Sequence, residues 1–419
     1  MTAGRRLLDD CFLHDKDRLR HDEVISLLQE RLSPVASVST VRLEEAGGLV
    51  LAETVQAPRN IPAHTNAAVD GYAVQFADLD PDAVTHLPIG LRVAAGDTSG
   101  RTQNAGTAAR IFTGARMPEG ADTVLMQEDC EADDRGVQIP PGAKSGANVR
   151  AAGEDFAEGA VVAETGRRLR PQDLAAIAAT GAAEVKCRDR LKVAVLSTGD
   201  EVLQPGDIFL PGQVYDSNRF LLRALLAGSN VAISDLGILP DDREAVRRAI
   251  LSAAEAHDVI VTTGGASRGE EDHIVDVVST EGSLHAWQLA VKPGRPLALG
   301  QIGDSVFLGL PGNPVAAFVC FLFYAQPMLA ILQGANWSPP RRYPFPAAFS
   351  IGRKKPDRRE FWRAWIEEGR ARKFERDGSG LISGLTAAQG IIDVAEEVTS
   401  VSEGETVHYI PFTEFGFGH

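Results

Sequence analysis

The sequence predicts a multidomain α/β plus β protein built around an α/β unit with a parallel-rich sheet. Three observations predict it. From residue 191 onward, apolar strand-length runs alternate with stretches at helical spacing, the pattern of a sheet with helices on both faces. Residues 47–148 hold short apolar runs broken by Gly and Pro and read as mainly β. The chain's 419 residues exceed one ordinary core, so two to four domains are expected.

In chain order, residues 21–32 carry Val24, Leu27, Leu28 and Leu32 at helical spacing and stop at Ser33-Pro34. Residues 108–115 and 122–128 read as strands. Residues 170–181 read as a short helix, with Pro171 in its first turn and Gly181 past its end. Then come a strand at 191–197, a helix at 218–227, and a helix capped by Asp241 or Asp242. A strand at 259–262 and a helix at 271–281 follow. Residues 315–332 are nearly all apolar; Tyr324, Gln326 and Pro327 interrupt them, and a buried helix is expected rather than a membrane span. The Pro-rich stretch 338–346 leads to strand-like runs at 360–366 and 407–411, a small terminal β domain.

Apolar and charged contents of 44% and 24% are those of a soluble globular protein. A net charge of −15 argues against nucleic-acid or anionic-membrane binding, so any attraction for an anion must be local. Cys11, Cys130, Cys187 and Cys320 lie far apart, as expected of reduced thiols in a cytoplasmic protein, and no signal peptide is read at the N-terminus.

Residues 258–314 concentrate equipment for anions. An apolar strand runs into Gly264-Gly265, followed by acidic Glu270-Glu271-Asp272. Lys292 and Arg295 flank Pro293-Gly294, a rigid turn suited to a dianion, and Pro311-Gly312-Asn313-Pro314 opens the long apolar helix with N–H groups free for an anion. Asp200 and Glu201, Asp241 and Asp242, and the 270–272 cluster each follow a strand, where ligands of parallel sheets sit, and can converge on Mg²⁺. As helix caps they need no such role. Asp70 with Tyr72, Thr113 and Asp155 occupy Gly-containing turns further back.

Together these segments resemble the molybdopterin molybdenumtransferase family, which includes the C-terminal domain of gephyrin. The resemblance is carried in order by Asp70-Gly-Tyr-Ala73, Phe112-Thr-Gly-Ala-Arg-Met-Pro-Glu-Gly-Ala-Asp122, Asn148-Val-Arg-Ala-Ala-Gly-Glu-Asp155 and Ser197-Thr-Gly-Asp-Glu201. Gln213-Val-Tyr-Asp-Ser-Asn218, the 263–272 loop, Val291-Lys-Pro-Gly-Arg-Pro296 and Leu310-Pro-Gly-Asn-Pro314 complete it. It implies an elongated homodimer with four domains per subunit: a discontinuous linker domain (7–58 plus 149–190), a β-rich domain (59–148), a molybdopterin-binding α/β domain (191–337) and a β-barrel-like C-terminal domain (338–419). It also implies Mg²⁺-dependent insertion of molybdate into adenylylated molybdopterin with release of AMP, at a site between the α/β domain and the partner's β-rich domain. Asp200, Glu201, Asp241 and Asp272 then hold Mg²⁺, and Asp70, Thr113, Asp155, Asp272 and Lys292 take part in catalysis. Ser267, Arg268, Arg295, Pro311, Gly312, Asn313 and Pro314 contact substrate. An upstream molybdopterin adenylyltransferase and downstream molybdoenzymes are the implied partners.

The chain departs from the family pattern at Val69, Arg268, Gln288, Arg295 and Ala316. A diverged paralogue handling another oxyanion such as tungstate, or a non-catalytic molybdopterin-binding scaffold, are the competing expectations. A single-domain adenylyltransferase is disfavoured by some 190 residues ahead of the α/β unit.

Overall fold

The computed structural model describes residues 18–264 and 273–417. At its centre is a six-stranded sheet in the order Ala232–Leu239, Lys192–Thr198, Val259–Thr263, Ser305–Leu310, Pro296–Ile302, Ser283–Gln288. The first four strands are mutually parallel, while the last two run antiparallel as hairpins. Side chains alternate between two cores, as a period of two requires. Val193, Val195, Val259, Val261 and Leu308 pack toward helices His21–Arg31, Ser217–Gly228 and Pro314–Leu332. Ala194, Leu196, Ile260 and Phe307 pack toward helices Arg243–Ala256 and His273–Glu281. Continuous rather than alternating hydrophobicity in these strands follows from burial on both faces.

Helix Pro314–Leu332 is long and apolar enough to cross a membrane by length and composition, yet 83% of its most apolar window is buried inside the fold. A π-helical turn at Phe321–Ala325 interrupts it, where Tyr324 reaches the ring of His21. Cys130, Cys187 and Cys320 are free thiols, the last two buried; Cys11 lies outside the described residues.

The C-terminal sheet runs in the order Val291–Lys292, Arg359–Glu367, Gly390–Val394, Thr406–Pro411, Tyr343–Pro346, with Arg370–Lys373 hydrogen-bonded to Arg359–Glu367. The barrel-like expectation holds short of closure. The two ends of the sheet meet at a single bridge, Ala347 with Ala371, where the Ala348 N–H donates to Ala371 O at 2.8 Å, and no ladder of paired strands closes it among the described residues. Its first strand comes from the α/β segment, some 70 residues upstream of the strand it joins. That graft creates the wall of the site.

Toward the N-terminus, Val38–Arg42 and Val50–Leu51 pair with Glu184–Arg188, and Val55–Gln56 pairs with Val161–Ala163. Between these segments lie a four-stranded sheet (Ile89–Val93, Ala108–Ile111, Gly71–Val74, Thr123–Met126) and a three-stranded one (Glu131–Asp133, Gly136–Ile139, Thr85–Leu87). Helix Pro171–Thr180 ends on Gly181 at φ 91°, a left-handed cap that a side chain resists.

A candidate oxyanion site between the α/β and C-terminal sheets

Lys292 is placed by the graft. Val291 and Lys292 pair in parallel with Arg359 and Glu360, and the Arg359 N–H donates to Ala290 O at 2.9 Å. The next turn passes through a cis Lys292–Pro293 bond and Gly294 at φ 108°. A Cβ on Gly294 would lie 2.5 Å from Cys320 Sγ, so only glycine lets this turn seat on the long helix.

The Pro311–Pro314 turn forms the adjoining wall. Asn218, near the start of its helix, donates to Gly312 O at 2.6 Å and Thr263 Oγ1 at 2.7 Å, tying two strand ends together. Its buried amide oxygen, like the hydroxyls of Ser197 and Thr262, has no partner among the described residues. The helix N-terminus is less open than expected: the Val315 N–H donates to Ser379 O at 2.9 Å. The C-terminal domain has taken a donor that sequence reasoning left for an anion.

Between these walls lies a cavity of about 860 Å³, lined by Lys292, Arg295, Pro311, Gly312, Asn313 and Ala316 from the α/β side. The C-terminal region adds Lys355, Arg358, Arg363 and Lys373, and Arg18 joins them. Among the described residues, seven Lys or Arg thus line the cavity against one carboxylate, Asp377. In a chain of net charge −15 this is a focused positive field, and low-dielectric walls concentrate it.

Three of these cations pair with carboxylates. Lys292 Nζ is 3.3 Å from Asp377 Oδ2 and 3.8 Å from Glu360 Oε2, and Lys373 Nζ is 2.7 Å from Asp377 Oδ1. Glu360, buried, also accepts from Arg358 and from Trp362 Nε1 at 2.9 Å. Arg363 differs. Its guanidinium donates to Leu381 O at 2.9 Å and Arg376 O at 2.8 Å and lies over the Phe374 ring, with no carboxylate in ion-pairing range among the described residues. Burial pushes its pKa down from the usual arginine value. A buried cation held by carbonyls and aimed into a cavity is suited to an incoming anion.

The acidic residues form a separate rim. The Asp200 N–H donates to Asp241 Oδ2 at 3.1 Å, and the Asp241 N–H donates to Asp200 Oδ1 at 3.0 Å. Asp242, not Asp241, caps the following helix, accepting from Ala245 N at 2.7 Å. Glu201 folds back so that its Oε2 crowds Gly199. Among the described residues no three His, Cys, Asp or Glu side chains gather to hold a metal. The clasp leaves one exposed oxygen on each of Asp200 and Asp241, which fits Mg²⁺, an ion that takes one or two carboxylates and fills its shell with water and phosphate. Asp272, Ser267 and Arg268 lie outside the described residues.

A third group sits on the β-rich sheets. Asp70 Oδ1 accepts from both Thr113 N and Thr113 Oγ1 at 2.7 Å, and these bonds hold its carboxyl below the usual carboxylate range. Gly71 is obligatory beside it, because a Cβ there would lie 1.9 Å from Leu125 O. Arg110, stacked over Tyr72 and Phe112, donates to Gly71 O at 3.0 Å and so braces the same turn. Asp155 is exposed, its backbone N–H bonded to Ile61 O at 3.0 Å. Among the described residues neither Asp70 nor Thr113 hydrogen-bonds to the α/β unit. The structure therefore brings Lys292, Arg295 and the Pro311–Pro314 turn together, pairs Asp200 with Asp241, and pairs Asp70 with Thr113. Within one chain these remain three clusters.

Sequence reasoning missed Arg358, Arg363, Lys373 and Asp377. The available signal was a run of charges, Arg359, Glu360 and Arg363, inside an otherwise apolar strand, where a buried charge needs a reason.

Comparison with known proteins accounts for this architecture. Residues 19–181 match the model for the MoeA N-terminal region (domain I and II), 194–331 a "Probable molybdopterin binding domain", and 348–412 the MoeA C-terminal region (domain IV). The chain is 37% identical to a molybdopterin molybdenumtransferase of Haemophilus influenzae, covering 93% of this chain and 98% of that protein. It is 32% identical to molybdopterin molybdenumtransferase 2 of Mycobacterium tuberculosis, over 92% and 96% of the two chains. A solved molybdopterin biosynthesis MoeA protein from Pyrococcus horikoshii superposes with a TM-score of 0.81 at 27% identity, over 94% of this chain and all of that one. With the fold, the order of the three regions and the near-full-length identity in agreement, the chain belongs to the molybdopterin molybdenumtransferase family.

Proposed function

We propose that this protein transfers molybdenum to molybdopterin, taking adenylylated molybdopterin and molybdate as substrates and releasing AMP with the help of Mg²⁺. The observation that carries this reading is the cavity of about 860 Å³ that Lys292 and Arg363, on neighbouring strands of the C-terminal sheet, line with a large excess of positive charge. Molybdate, a tetrahedral dianion, is matched by an ammonium and a carbonyl-clamped guanidinium that line the same cavity, with Arg295 and the Pro311-Gly312-Asn313-Pro314 turn framing it. Asp200 and Asp241 would hold Mg²⁺ at the neighbouring rim, with Glu201 and Asp272 as further acidic candidates. When bound, the ion neutralises charge developing on the phosphoanhydride.

A homodimer completes the reading. Asp70 and Thr113 are built as a pre-organised acidic turn yet, among the described residues, make no hydrogen bond to the α/β unit of their own chain, which supports their serving the partner's site, with Asp155 proposed to join them. Ser267 and Arg268 remain proposed substrate contacts. We also read the chain as four domains, with 7–58 plus 149–190, 59–148, 191–337 and 338–419 as their extents, and as a cytoplasmic enzyme supplied by an adenylyl-transfer step and feeding molybdoenzymes. The test is reconstitution: purified protein with adenylylated molybdopterin, Mg²⁺ and molybdate, measuring AMP and active cofactor together. Both should appear in equal amounts. AMP without active cofactor, or tungstate outcompeting molybdate, favours a diverged paralogue; binding with neither product favours a scaffold.

A further inference from the structure

Asp377, the one carboxylate that lines the basic cavity among the described residues, is placed where an anion should go. Asp377 bridges two of the lining ammonium groups, 3.3 Å from Lys292 Nζ and 2.7 Å from Lys373 Nζ. Burial works against its ionisation, but Lys373 and then Lys292 outweigh that and keep its carboxyl below the ordinary aspartate range. Its backbone is not free to carry it away. Arg363 grips the carbonyls of Arg376 and Leu381 on either side, and Ser379 O accepts from Val315 N. The side chain itself is half exposed, so rotation about its own bonds is the open route.

We infer that Asp377 is a tethered competitor for the substrate oxyanion: its carboxylate occupies the Lys292–Lys373 pair and swings aside when an oxyanion enters. The inference rests on the oxyanion site of the proposed function, not on the transfer reaction. A cavity with this many cations and no internal counter-charge would hold any anion tightly and release product slowly. A carboxylate anchored within reach acts at high effective concentration, lowers the affinity for every incoming anion, and reoccupies the lysines as product departs. No covalent step is involved; one anion exchanges for another on the same two ammonium groups.

The alternative is that Asp377 merely positions the two lysines, and the two roles predict opposite signs. The full-length protein is titrated calorimetrically with sodium molybdate and sodium sulfate at fixed ionic strength, as wild type, Asp377→Asn and Asp377→Glu. A competitor requires Asp377→Asn to bind both anions about tenfold more tightly, the scale of one nearby like charge, with Asp377→Glu close to wild type. Unchanged or weaker binding by Asp377→Asn, at an unshifted thermal midpoint, overturns the inference, as does Asp377→Glu tightening as much as Asn. A wild type that binds neither anion removes both the inference and the oxyanion site. Tighter molybdate binding by Asp377→Asn without any cofactor formation in reconstitution overturns the proposed reaction and leaves the competitor standing.

Discussion

Asp200 and Asp241, 41 positions apart, donate their backbone N–H groups into each other's carboxylates at 3.1 and 3.0 Å. This reciprocal clasp joins the exits of neighbouring parallel strands and spends one oxygen of each residue on structure. The remaining oxygens are those proposed for Mg²⁺. Asp241→Asn keeps an acceptor for the Asp200 N–H but loses the charge. It should therefore unfold at nearly the wild-type temperature while needing roughly tenfold more Mg²⁺ for half-maximal AMP release. An unchanged Mg²⁺ dependence would show that Asp241 only holds the strands.

Lys292 and Arg363 should separate chemistry from stability. The Lys292 side chain is 41% exposed, so Lys292→Ala should abolish measurable molybdate binding with little change in melting temperature. Arg363→Ala should also weaken binding but cost roughly 2–3 kcal/mol of stability, since it leaves two carbonyls without their donor. Arg363→Lys keeps the charge without the fork and should recover only part of either loss. Calorimetric titration and chemical denaturation of the three variants read these effects separately.

Asp173 should make the fold acid-sensitive at the low end of the scale. Hydrogen bonds from Arg170, against the effect of burial and with help from Arg167, hold its pKa at about 2, below the unfolded value of 3.8. Its contribution, on the order of 2 kcal/mol, is therefore fully present above pH 4 and is lost as pH falls toward 2. Urea denaturation of Asp173→Asn should show that deficit at pH 7, shrinking as the pH is lowered through this window.

His21 acts over a higher range. Burial first, then the Arg359 charge, lower its pKa from 6.5 to about 3, Asp22 offsetting part of this; it sits against Tyr324, with Nδ1 3.1 Å from the hydroxyl. The unfolded chain takes up a proton below pH 6.5 and the folded chain does not, so stability declines between pH 6.5 and 3, by roughly 5 kcal/mol at most. His21→Gln should be less stable at pH 7 and show a flatter profile over that interval. A parallel slope in both proteins would place the acid sensitivity elsewhere.

Gly294→Ala brings a Cβ to 2.5 Å from Cys320 Sγ at a φ of 108° and should lower both stability and molybdate affinity. Adding Cys320→Ala relieves the contact but not the backbone strain. Partial recovery of the melting temperature in the double variant is the expected reading.

The α/β unit was legible because both its signals are local. Residues 191–197 announce a doubly buried strand by continuous hydrophobicity, and strand Lys192–Thr198 follows the expectation within a residue at either end. The turns at Lys292 and Pro311–Pro314 were legible for the same reason, since Pro and Gly mark them in the sequence. Two Asp residues in succession were not separable, because whether Asp241 or Asp242 caps a helix depends on which way the preceding strand points its backbone. Arg363 showed only as a charge inside an apolar strand, and the part that Lys373 and Asp377 play was out of reach for a different reason. Nothing near them in the chain says anion; they face Lys292 only because a two-residue strand joins a distant sheet, a pairing no local pattern encodes.

That two-residue strand also makes the segment after residue 337 a working part rather than an appendage. Lys292 keeps its bearing only while Arg359 and Glu360 lie alongside it, so a chain cut after residue 337 would retain a folded-looking core with a misdirected ammonium. Exchanging terminal segments between relatives should succeed only where the incoming strand preserves this register, whatever the resemblance elsewhere.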